Sequence, residues 1–466
     1  MNKLLAKCFE RRKQLVWILF IVILMSLFYN SSLVEAKPSR GKKPTPTVTV
    51  TPTVKPTSTV TPIITASPTV TANPTVTVSP SATPVPTVTP TPALTPTVAP
   101  TPISLPTPTP TPEVAPQNKV VGYYAAWAAY SGITPDKLDA TKLTHINYAF
   151  ANIGSDLKIT LGYPDVDLSN IQKLNALKQI NPNLKTLIAV GGWSWSGRFS
   201  DAALTQESRN IFADSCVDFI VKYGFDGIDI DWEYPVSGGL STNVKRAEDK
   251  YNFTLLMQTL RDKLKARSVL DGKTYLLTFA GAAGSWYVDN IELTKLEQYI
   301  DFANIMTYDI HGTWDQYTDL VAPLYENSDV SPQYKGSVDS GVQSWLKTGF
   351  SAKKVVMGIP FYGYVYKAVV NSNYGLYQTY SGSSSISYAN IVSNYINAPG
   401  YVRYFHPESK TPWLFNGSTF ITYEDEESIR WKTDYIKAKG LAGAMIWELS
   451  QDPSKTLLNS IYQGLK

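Results

Sequence analysis

The sequence predicts an α/β fold for residues 117–466, a (β/α)8 TIM barrel with a small α+β insertion between strand 7 and helix 7. Three observations support this prediction. Eight short β-rich runs occur along this part of the chain, stretches with helical spacing lie between them, and the segment is long enough for the usual barrel of ~250 residues plus an insertion. A doubly wound sheet is the alternative, but no glycine-rich nucleotide loop follows the first run.

The predicted strands are short segments rich in β-branched and aromatic residues, at 120–127, 143–152, 184–192, 225–233, 275–281, 302–309, 354–361 and 441–448. Apolar residues recur at helical spacing between them, for example over 204–223, 247–266 and 425–439. Strands that alternate with helical stretches are typical of a parallel sheet.

The extra length lies after the seventh predicted strand. Residues 362–423 are rich in Ser, Gly and Asn, lack a long helical period, and hold 11 of the chain's 29 tyrosines. We interpret them as a small α+β insertion on the C-terminal face of the barrel, where active sites lie. Its tyrosines either line a substrate groove or form the core of the insertion, since tyrosine serves both purposes.

The first 36 residues have the features of a secretory signal peptide. Basic residues precede an apolar run over 15–29, and Val34 and Ala36 are small residues before a cleavage site after Ala36. The alternative is an uncleaved anchor, although this run as a helix is only about 22 Å long, less than the ~30 Å hydrocarbon core. We therefore predict a secreted, extracellular protein, with tethering at the cell surface through the apolar segment as the alternative.

Residues 37–116 are predicted to be a disordered linker. Of the 32 prolines, 21 precede residue 117, and Thr-Pro-Val-Thr repeats supply almost no large apolar side chains. Such a segment cannot bury enough surface to offset the entropy lost on ordering. We expect a semi-rigid spacer of at most roughly 250 Å, either a tether from the cell surface or a spacer without its partner module.

The charge of the predicted barrel argues against nucleic-acid binding. Residues 1–116 carry 10 of the 42 Lys and Arg and 3 of the 38 Asp and Glu, so residues 117–466 hold 32 and 35, a net charge of −3. Neutralisation of phosphates by basic residues dominates nucleic-acid affinity. The two cysteines, Cys8 and Cys216, lie in different segments, and the three histidines have no cysteine cluster beside them, so a structural zinc site is not expected.

The strongest chemical signal is the acidic strand within 225–235. Side chains alternate along a strand, so Asp229, Asp231 and Glu233 share one face, whereas the other face is apolar. In a barrel the acidic face would point inward, toward the C-terminal mouth. Carboxylates stacked two residues apart repel one another unless they share protons, which raises the pKa of the outermost one, Glu233, and makes it a plausible general acid.

The acidic strand has two other interpretations, an exposed edge strand and a metal site. A solvated edge strand would not present an opposite face made of Ile228, Ile230 and Trp232. A divalent-metal site would need a second acidic or histidine cluster to complete its ligands, and the sequence shows none. We therefore predict no metal and no other cofactor.

Residues 226–233, Asp-Gly-Ile-Asp-Ile-Asp-Trp-Glu, resemble the signature of glycoside hydrolase family 18, which comprises the chitinases and their relatives. The resemblance covers nearly all of 118–466. Residues 122–124 resemble the family's first strand, 306–309 its sixth, and Trp447 the end of its eighth. The insertion at 362–423 resembles the chitinase insertion domain.

The resemblance implies roles for particular residues. Glu233 would protonate the glycosidic oxygen, while the substrate's own 2-acetamido group attacks the sugar, an exception to the two-carboxylate scheme. Asp231 would hold the acetamido N–H, and Asp229 would share a proton with Asp231. Tyr308 would donate to the acetamido oxygen. The residues implied in substrate binding are Tyr123, Trp127, Phe150, Trp193, Tyr234, Met306, Asp309 and Trp447. For the tryptophans, core packing is the alternative, and Asp226, of opposite strand parity, is expected to be structural.

The chain departs from the family pattern at two positions. The third strand has Ala189 where the pattern has Ser, which removes a hydroxyl expected near Asp229 and leaves Tyr123 as its support. After the seventh strand, Tyr364 stands where many relatives have Arg, which puts a charged contact there in doubt. Neither change touches Glu233, so activity is expected.

These features favour a secreted enzyme that cleaves chitin, a β-1,4-linked N-acetylglucosamine polymer. Peptidoglycan or N-glycans are alternative substrates, because the acetamido group is common to all of them. A non-catalytic protein that binds chitin oligosaccharides is a further alternative. The expected partner is such a polysaccharide, with no nucleic acid and no stable protein partner, and a monomer is expected.

Overall fold

A computed structural model describes residues 118–466. The signal peptide predicted at 1–36 and the linker predicted at 37–116 lie outside the described residues. Within the described part, no helix combines the length and the apolar character that crossing a bilayer requires.

Eight parallel strands form the closed barrel that the sequence predicted. Strand β1 (Lys119–Ala125) pairs with β2 (His145–Ile153) on one side and with β14 (Gly443–Trp447) on the other, which closes the ring. The barrel strands, in chain order, are β1 (Lys119–Ala125), β2 (His145–Ile153), β4 (Lys185–Gly191), β5 (Gly227–Asp231), β6 (Leu276–Ala282), β7 (Phe302–Met306), β8 (Val355–Pro360) and β14 (Gly443–Trp447). A short strand, β3 (Ile159–Leu161), pairs antiparallel with β2 at the rim.

Helices occupy most of the crossovers. The described α-helices are α1 (Asp167–Ala176), α2 (Gly192–Trp195), α3 (Phe199–Leu204), α4 (Gln206–Tyr223), α5 (Asp249–Asp271), α6 (Ser285–Asp289), α7 (Leu293–Leu296), α8 (Val338–Leu346), α9 (Tyr388–Asn394), α10 (Glu426–Lys439) and α11 (Thr456–Leu465). Local sequence sets the ends of α4: Thr205 and Ser208 form a capping box at its start, and Gly224 adopts a left-handed φ of 77° after its end.

The alternation predicted for the acidic strand is present in β5. On the outer face of the barrel, Trp232 stacks on Phe199 at 5.4 Å and meets Phe253 edge-on at 5.6 Å between ring centroids. Ile228 and Ile230 are fully buried. The last residue of β5 that pairs in the sheet is Asp231, which lies opposite Gly191, so the strand is shorter than the predicted run. Glu233 therefore lies just beyond the end of β5.

The insertion is a separate five-stranded antiparallel sheet between β8 and α10, as predicted. Its strand order is β10-β9-β13-β12-β11, with β9 at Tyr362–Lys367, β10 at Gly382–Ser387, β11 at Val402–His406, β12 at Thr411–Phe415 and β13 at Phe420–Thr422. The core interpretation of its tyrosines applies to Tyr366 and Tyr423, which are buried within the insertion. No tyrosine of 362–423 lines the cavity at the barrel mouth, although Tyr362 and Tyr364 are buried where they donate to Asp309 beside it.

Candidate active site

A cavity of about 1440 Å³ opens at the C-terminal ends of the barrel strands. Its floor is formed by residues at or just after the strand ends, and the following loops build its walls. The largest loop is the segment between β7 and α8, which contributes Trp314 and Tyr334. Catalytic groups at this face of a barrel are held by rigid strands, while the loops vary the shape around them.

Asp229 lies beneath the cavity, inside the barrel, with no exposed surface. Its Oδ2 accepts a hydrogen bond from the Tyr123 hydroxyl at 2.5 Å. Its Oδ1 accepts from the Thr278 hydroxyl at 2.5 Å and from the Asn304 amide at 3.2 Å. Burial raises the pKa of Asp229 to about 6, although the three donors oppose that shift by stabilising the carboxylate. The expectation that Tyr123 alone supports Asp229 is therefore wrong.

Asp231 lies one pleat nearer the cavity and is almost completely buried. Its Oδ1 has no hydrogen-bond partner among the described residues. Burial, followed by the charges of Glu233 and Asp229, raises the pKa of Asp231 well above its usual range. A buried acceptor without a donor is costly, so this carboxyl is prepared for a proton or for an N–H donor from a bound molecule.

Glu233 follows Asp231 by two residues and lines the same cavity. Ser196 fixes its backbone by accepting from the Glu233 N–H at 2.8 Å, and the Asn243 amide donates to the Glu233 carbonyl oxygen at 2.9 Å. Burial raises the pKa of Glu233 to about 7. A carboxyl group with such a pKa holds its proton near neutral pH and can release it, as a general acid must.

Asp309 connects the barrel to the insertion. The hydroxyls of Tyr362 and Tyr364 both donate to its Oδ1, at 2.6 and 2.7 Å. Tyr364, at the position where many relatives have Arg, therefore contributes a neutral hydroxyl that donates to the Asp309 carboxylate, and no charged side chain stands there. Next to Asp309, the buried Tyr308 directs its hydroxyl toward the Met445 sulfur at 3.8 Å, a weak acceptor that a better one can displace.

Aromatic rings line the cavity beside the carboxyl groups. Trp447, at the end of β14, stacks on Phe150 with 5.6 Å between ring centroids and lies at the same distance from Tyr123. Trp127 is 37% exposed and Trp193 52% exposed, so the core-packing alternative is wrong for both. Such flat surfaces suit the apolar faces of sugar rings.

The structure brings together the site residues that the sequence predicted. Eleven of the twelve line the cavity: Tyr123, Trp127, Phe150, Trp193, Asp231, Glu233, Tyr234, Met306, Tyr308, Asp309 and Trp447. The twelfth, Asp229, lies directly below. Asp226 is on the other side of the strand, where it pairs with Lys178 at 2.6 Å and accepts from the Thr186 N–H, in agreement with a structural role.

Sequence reasoning did not single out Thr278 and Asn304, which bind Asp229, or Trp286 and Trp314, which line the cavity. The two tryptophans follow the ends of predicted strands, and that position could have identified them. Thr278 and Asn304 stand alone on apolar strands, without a motif. Within 118–466 there is no group of three or more His, Cys, Asp or Glu placed to hold a metal ion.

Comparisons with known proteins identify relatives of this chain. The family described as Glycosyl hydrolases family 18 matches residues 119–452. Chitinase A1 of Niallia circulans is 44% identical over 409 residues, which cover 74% of this chain and 58% of that protein, so this chain spans less than two thirds of its relative.

Two solved structures are similar in both fold and sequence. A glycoside hydrolase family 18 N-acetylglucosaminidase from Paenibacillus barengoltzii has a TM-score of 0.69 at 39% identity, covering 74% of this chain and 99% of that one. Chitinase ChiA74 from Bacillus thuringiensis has a TM-score of 0.71 at 35% identity, covering 75% and 70%. With the family match over most of its length, this chain belongs to the family 18 glycosyl hydrolases.

Proposed function

We propose that this protein is a retaining hydrolase that cleaves β-1,4-linked N-acetylglucosamine polymers such as chitin by substrate-assisted catalysis. We also propose that it acts outside the cell, because residues 1–36 have the pattern of a signal peptide. The observation that carries the catalytic proposal is the unpartnered Oδ1 of Asp231 beside Glu233 in the cavity. The N–H of a 2-acetamido group is a donor that would satisfy it.

In the first step, the acetamido carbonyl oxygen attacks C1 of the sugar as the bond from C1 to the glycosidic oxygen breaks. The leaving oxygen takes the proton of Glu233, which burial keeps protonated near neutral pH. The product is a cyclic oxazolinium ion. Asp231 accepts the N–H of the ring and offsets its positive charge, a preorganised electrostatic role.

In the second step, water attacks C1 from the face that the leaving group vacated. The Glu233 carboxylate takes a proton from this water, and the bond between C1 and the acetamido oxygen breaks. The two displacements together retain the configuration at C1, and Glu233 regains its proton. Trp447 would support the sugar ring from below, and the Tyr308 hydroxyl would exchange its weak Met445 partner for the acetamido oxygen.

A second candidate is an N-acetylglucosaminidase that acts on shorter chains or on the glycans of peptidoglycan or glycoproteins. The similarity of this chain to the N-acetylglucosaminidase from Paenibacillus barengoltzii favours it. The size of the cavity favours a longer substrate, since about 1440 Å³ exceeds the ~300–1,000 Å³ typical of pockets for a single small ligand. A non-catalytic chitin-binding protein is less well supported, because Glu233 and both aspartates are in place.

The test is mass spectrometry of the products that the full chain releases from an N-acetylglucosamine hexamer and from the fully deacetylated hexamer. We expect cleavage of the acetylated hexamer alone, since only this substrate carries the internal nucleophile. Glu233→Gln should abolish cleavage and retain binding, whereas Glu326→Gln, on an exposed loop, should behave as the wild type. Equal cleavage of both hexamers would contradict substrate assistance. Binding of the acetylated hexamer without any product would favour the non-catalytic alternative.

A further inference from the structure

Asp229 is held by three donors from three different strands of the barrel. Tyr123 from β1 donates to one carboxylate oxygen, and Thr278 from β6 and Asn304 from β7 donate to the other. Asn304 also donates to the Tyr123 hydroxyl oxygen at 3.2 Å. All of these side chains are buried. Donors that converge on one carboxylate favour its ionised form.

The two neighbours of Asp229 within the sheet differ in chemistry. In the ladder register, Ala189 of β4 lies opposite Asp229 on one side and Thr278 of β6 lies opposite it on the other. Paired residues of adjacent strands point to the same face, so all three side chains face the barrel interior. Ala189 offers no hydrogen-bonding group. Of these two neighbours of Asp229 in the sheet, only Thr278 carries a hydroxyl, and this hydroxyl donates to Asp229.

The charged and titratable groups around Asp229 are few. Tyr123 faces it from β1, Asp231 follows it on β5, Glu233 lies just beyond that strand, and Tyr308 lies two residues beyond β7. The groups facing it from β4, β6 and β7 are Ala189, Thr278 and Asn304, none of which carries a charge. Within residues 118–466 no cation shifts the pKa of Asp229, so hydrogen bonds oppose the cost of its burial.

We propose that Thr278 is a positioning residue that keeps Asp229 ionised, so that the proton shared by the two aspartates lies on Asp231 beside Glu233. The inference rests on the proposed function and deepens it. The hydroxyl comes from the strand that follows β5 rather than from the strand that precedes it, where Ala189 has none. Thr278 touches no part of the substrate and acts through Asp229.

The proposal predicts a particular change in the pH profile. Asp231 can offset the positive charge of the oxazolinium ion only if its proton passes to the Asp229 carboxylate, so protonation of both aspartates blocks this step and sets the acid limb of kcat/KM. Without the hydroxyl, the Asp229 carboxylate loses one of three donors and binds its proton more tightly. Thr278→Val should therefore move the acid limb to higher pH by about one unit and lower kcat near pH 5 by roughly tenfold. KM should change little, because Thr278 does not line the cavity.

The experiment compares the full chain with Thr278→Val, which keeps the shape, and with Thr278→Ser, which keeps the hydroxyl. Thr259→Val, a buried threonine on α5 whose hydroxyl bonds only the Leu255 carbonyl, is the matched control. We expect the acid limb to shift in Thr278→Val and to coincide with the wild type in Thr278→Ser and Thr259→Val. An unshifted limb in Thr278→Val would overturn the proposal, as would equal shifts in the valine and serine variants at position 278.

A second measurement keeps this inference separate from the proposed function. Carbon-13 titration of the aspartate carboxyl groups, with Asp229 assigned by Asp229→Asn, reads its pKa without any substrate. A higher pKa of Asp229 in Thr278→Val than in the wild type supports the proposal, and equal pKa values refute it. If the wild type does not cleave the acetylated hexamer, the proposed function fails while this titration still decides the role of Thr278.

Discussion

Glu233 lies where a charged carboxylate is costly. The side chain is buried, and burial raises the pKa of Glu233 from the ordinary 4.5 to about 7. The native state therefore binds a proton more tightly than the unfolded chain does. Between pH 4.5 and 7 the native state holds more protons than the unfolded state, so the free energy of unfolding decreases as the pH rises through this window. The same burial that makes Glu233 an acid destabilises the fold.

Glu233→Gln should therefore stabilise the protein at high pH. The amide keeps the shape and cannot ionise, so the variant avoids the cost of burying a charge. We expect an increase of about 1–3 kcal/mol in the free energy of unfolding at pH 8.5, and an increase near zero at pH 4.5, where the wild type is protonated as well. Denaturant titrations of both proteins at the two pH values measure it. Glu326→Gln, on the exposed loop, should show no such dependence, and a gain for Glu233→Gln that is equal at both pH values would contradict this account.

The grouping of the three acidic side chains could be predicted from the sequence because carboxyl groups recur at every second position, which is the period of a strand. Asp229, Asp231 and Glu233 follow one another at every second position, and the family signature covers all three. Thr278 and Asn304 could not be predicted this way. They are 49 and 75 residues from Asp229, and closure of the barrel brings them to it. A single polar residue in an apolar strand has no pattern that indicates what it will contact.

At the scale of elements, the sequence predicts where the strands lie better than it predicts where they end. All eight barrel strands lie within the β-rich runs or within two residues of them, but several are shorter than their runs. The run at 302–309 yields a strand that ends at Met306, the last residue of β7 to pair with β6, and Asp309 adopts a left-handed φ of 52° where the chain turns into the cavity loop. Residue type predicts the strand, while the position of its end depends on the neighbouring strands and on the loop that follows.

The long loop after β7, the insertion and α10 are joined by one buried ion pair. Lys432 of α10 donates to Glu424, which precedes the helix, and to the Ala322 carbonyl of the loop at 2.8 Å. Neither side chain has any exposed surface. Removal of one partner would leave the other charge buried and unpaired, which typically costs several kcal/mol.

Lys432→Met should therefore lower the free energy of unfolding by about 3–5 kcal/mol, with Glu424 left without a counter-ion. The double variant Lys432→Met with Glu424→Met should recover much of this loss, because no charge remains buried. The matched control is Lys437→Met on the same helix, whose pair with Asp434 is exposed and should be worth at most about 1 kcal/mol. Urea denaturation measures all three. A loss for Lys432→Met no larger than that for Lys437→Met would show that the pair does not join these elements.

At the scale of the whole molecule, different parts of the protein form the floor and the walls of the cavity. The strand ends provide the carboxyl groups and the Trp447 floor, while the loops build walls that reach beyond them, and the insertion packs behind the loop wall where Tyr364 meets Trp314. Asp309 links the two parts, since it belongs to the barrel mouth and both of its tyrosine donors come from β9 of the insertion. Contacts made by the walls can add affinity for a long substrate without changing the reacting groups.

Substitution of Trp314 can test whether the walls of the cavity have a role separate from that of the floor. It lies in the loop after β7, is 60% exposed, and meets Tyr364 of the insertion edge-on at 5.9 Å between centroids. Tyr380 holds the loop by donating to the Asp315 carbonyl at 2.5 Å. The ring is therefore fixed in the wall with much of its surface free for a sugar that lies away from the bond being cleaved.

Trp314→Ala should lower kcat/KM for the acetylated hexamer by about two- to tenfold, corresponding to about 0.5–1.5 kcal/mol for one aromatic contact. Turnover of an acetylated dimer, which has only the two sugars on either side of the bond being cleaved, should be unchanged. Trp431→Ala is the matched control, because this tryptophan is similarly exposed on α10 but lies outside the cavity. Equal losses on the dimer and the hexamer would place Trp314 beside the reacting sugar and contradict a separate role for the wall. A loss confined to the hexamer would mean that the loops select chain length while the strand ends perform the chemistry.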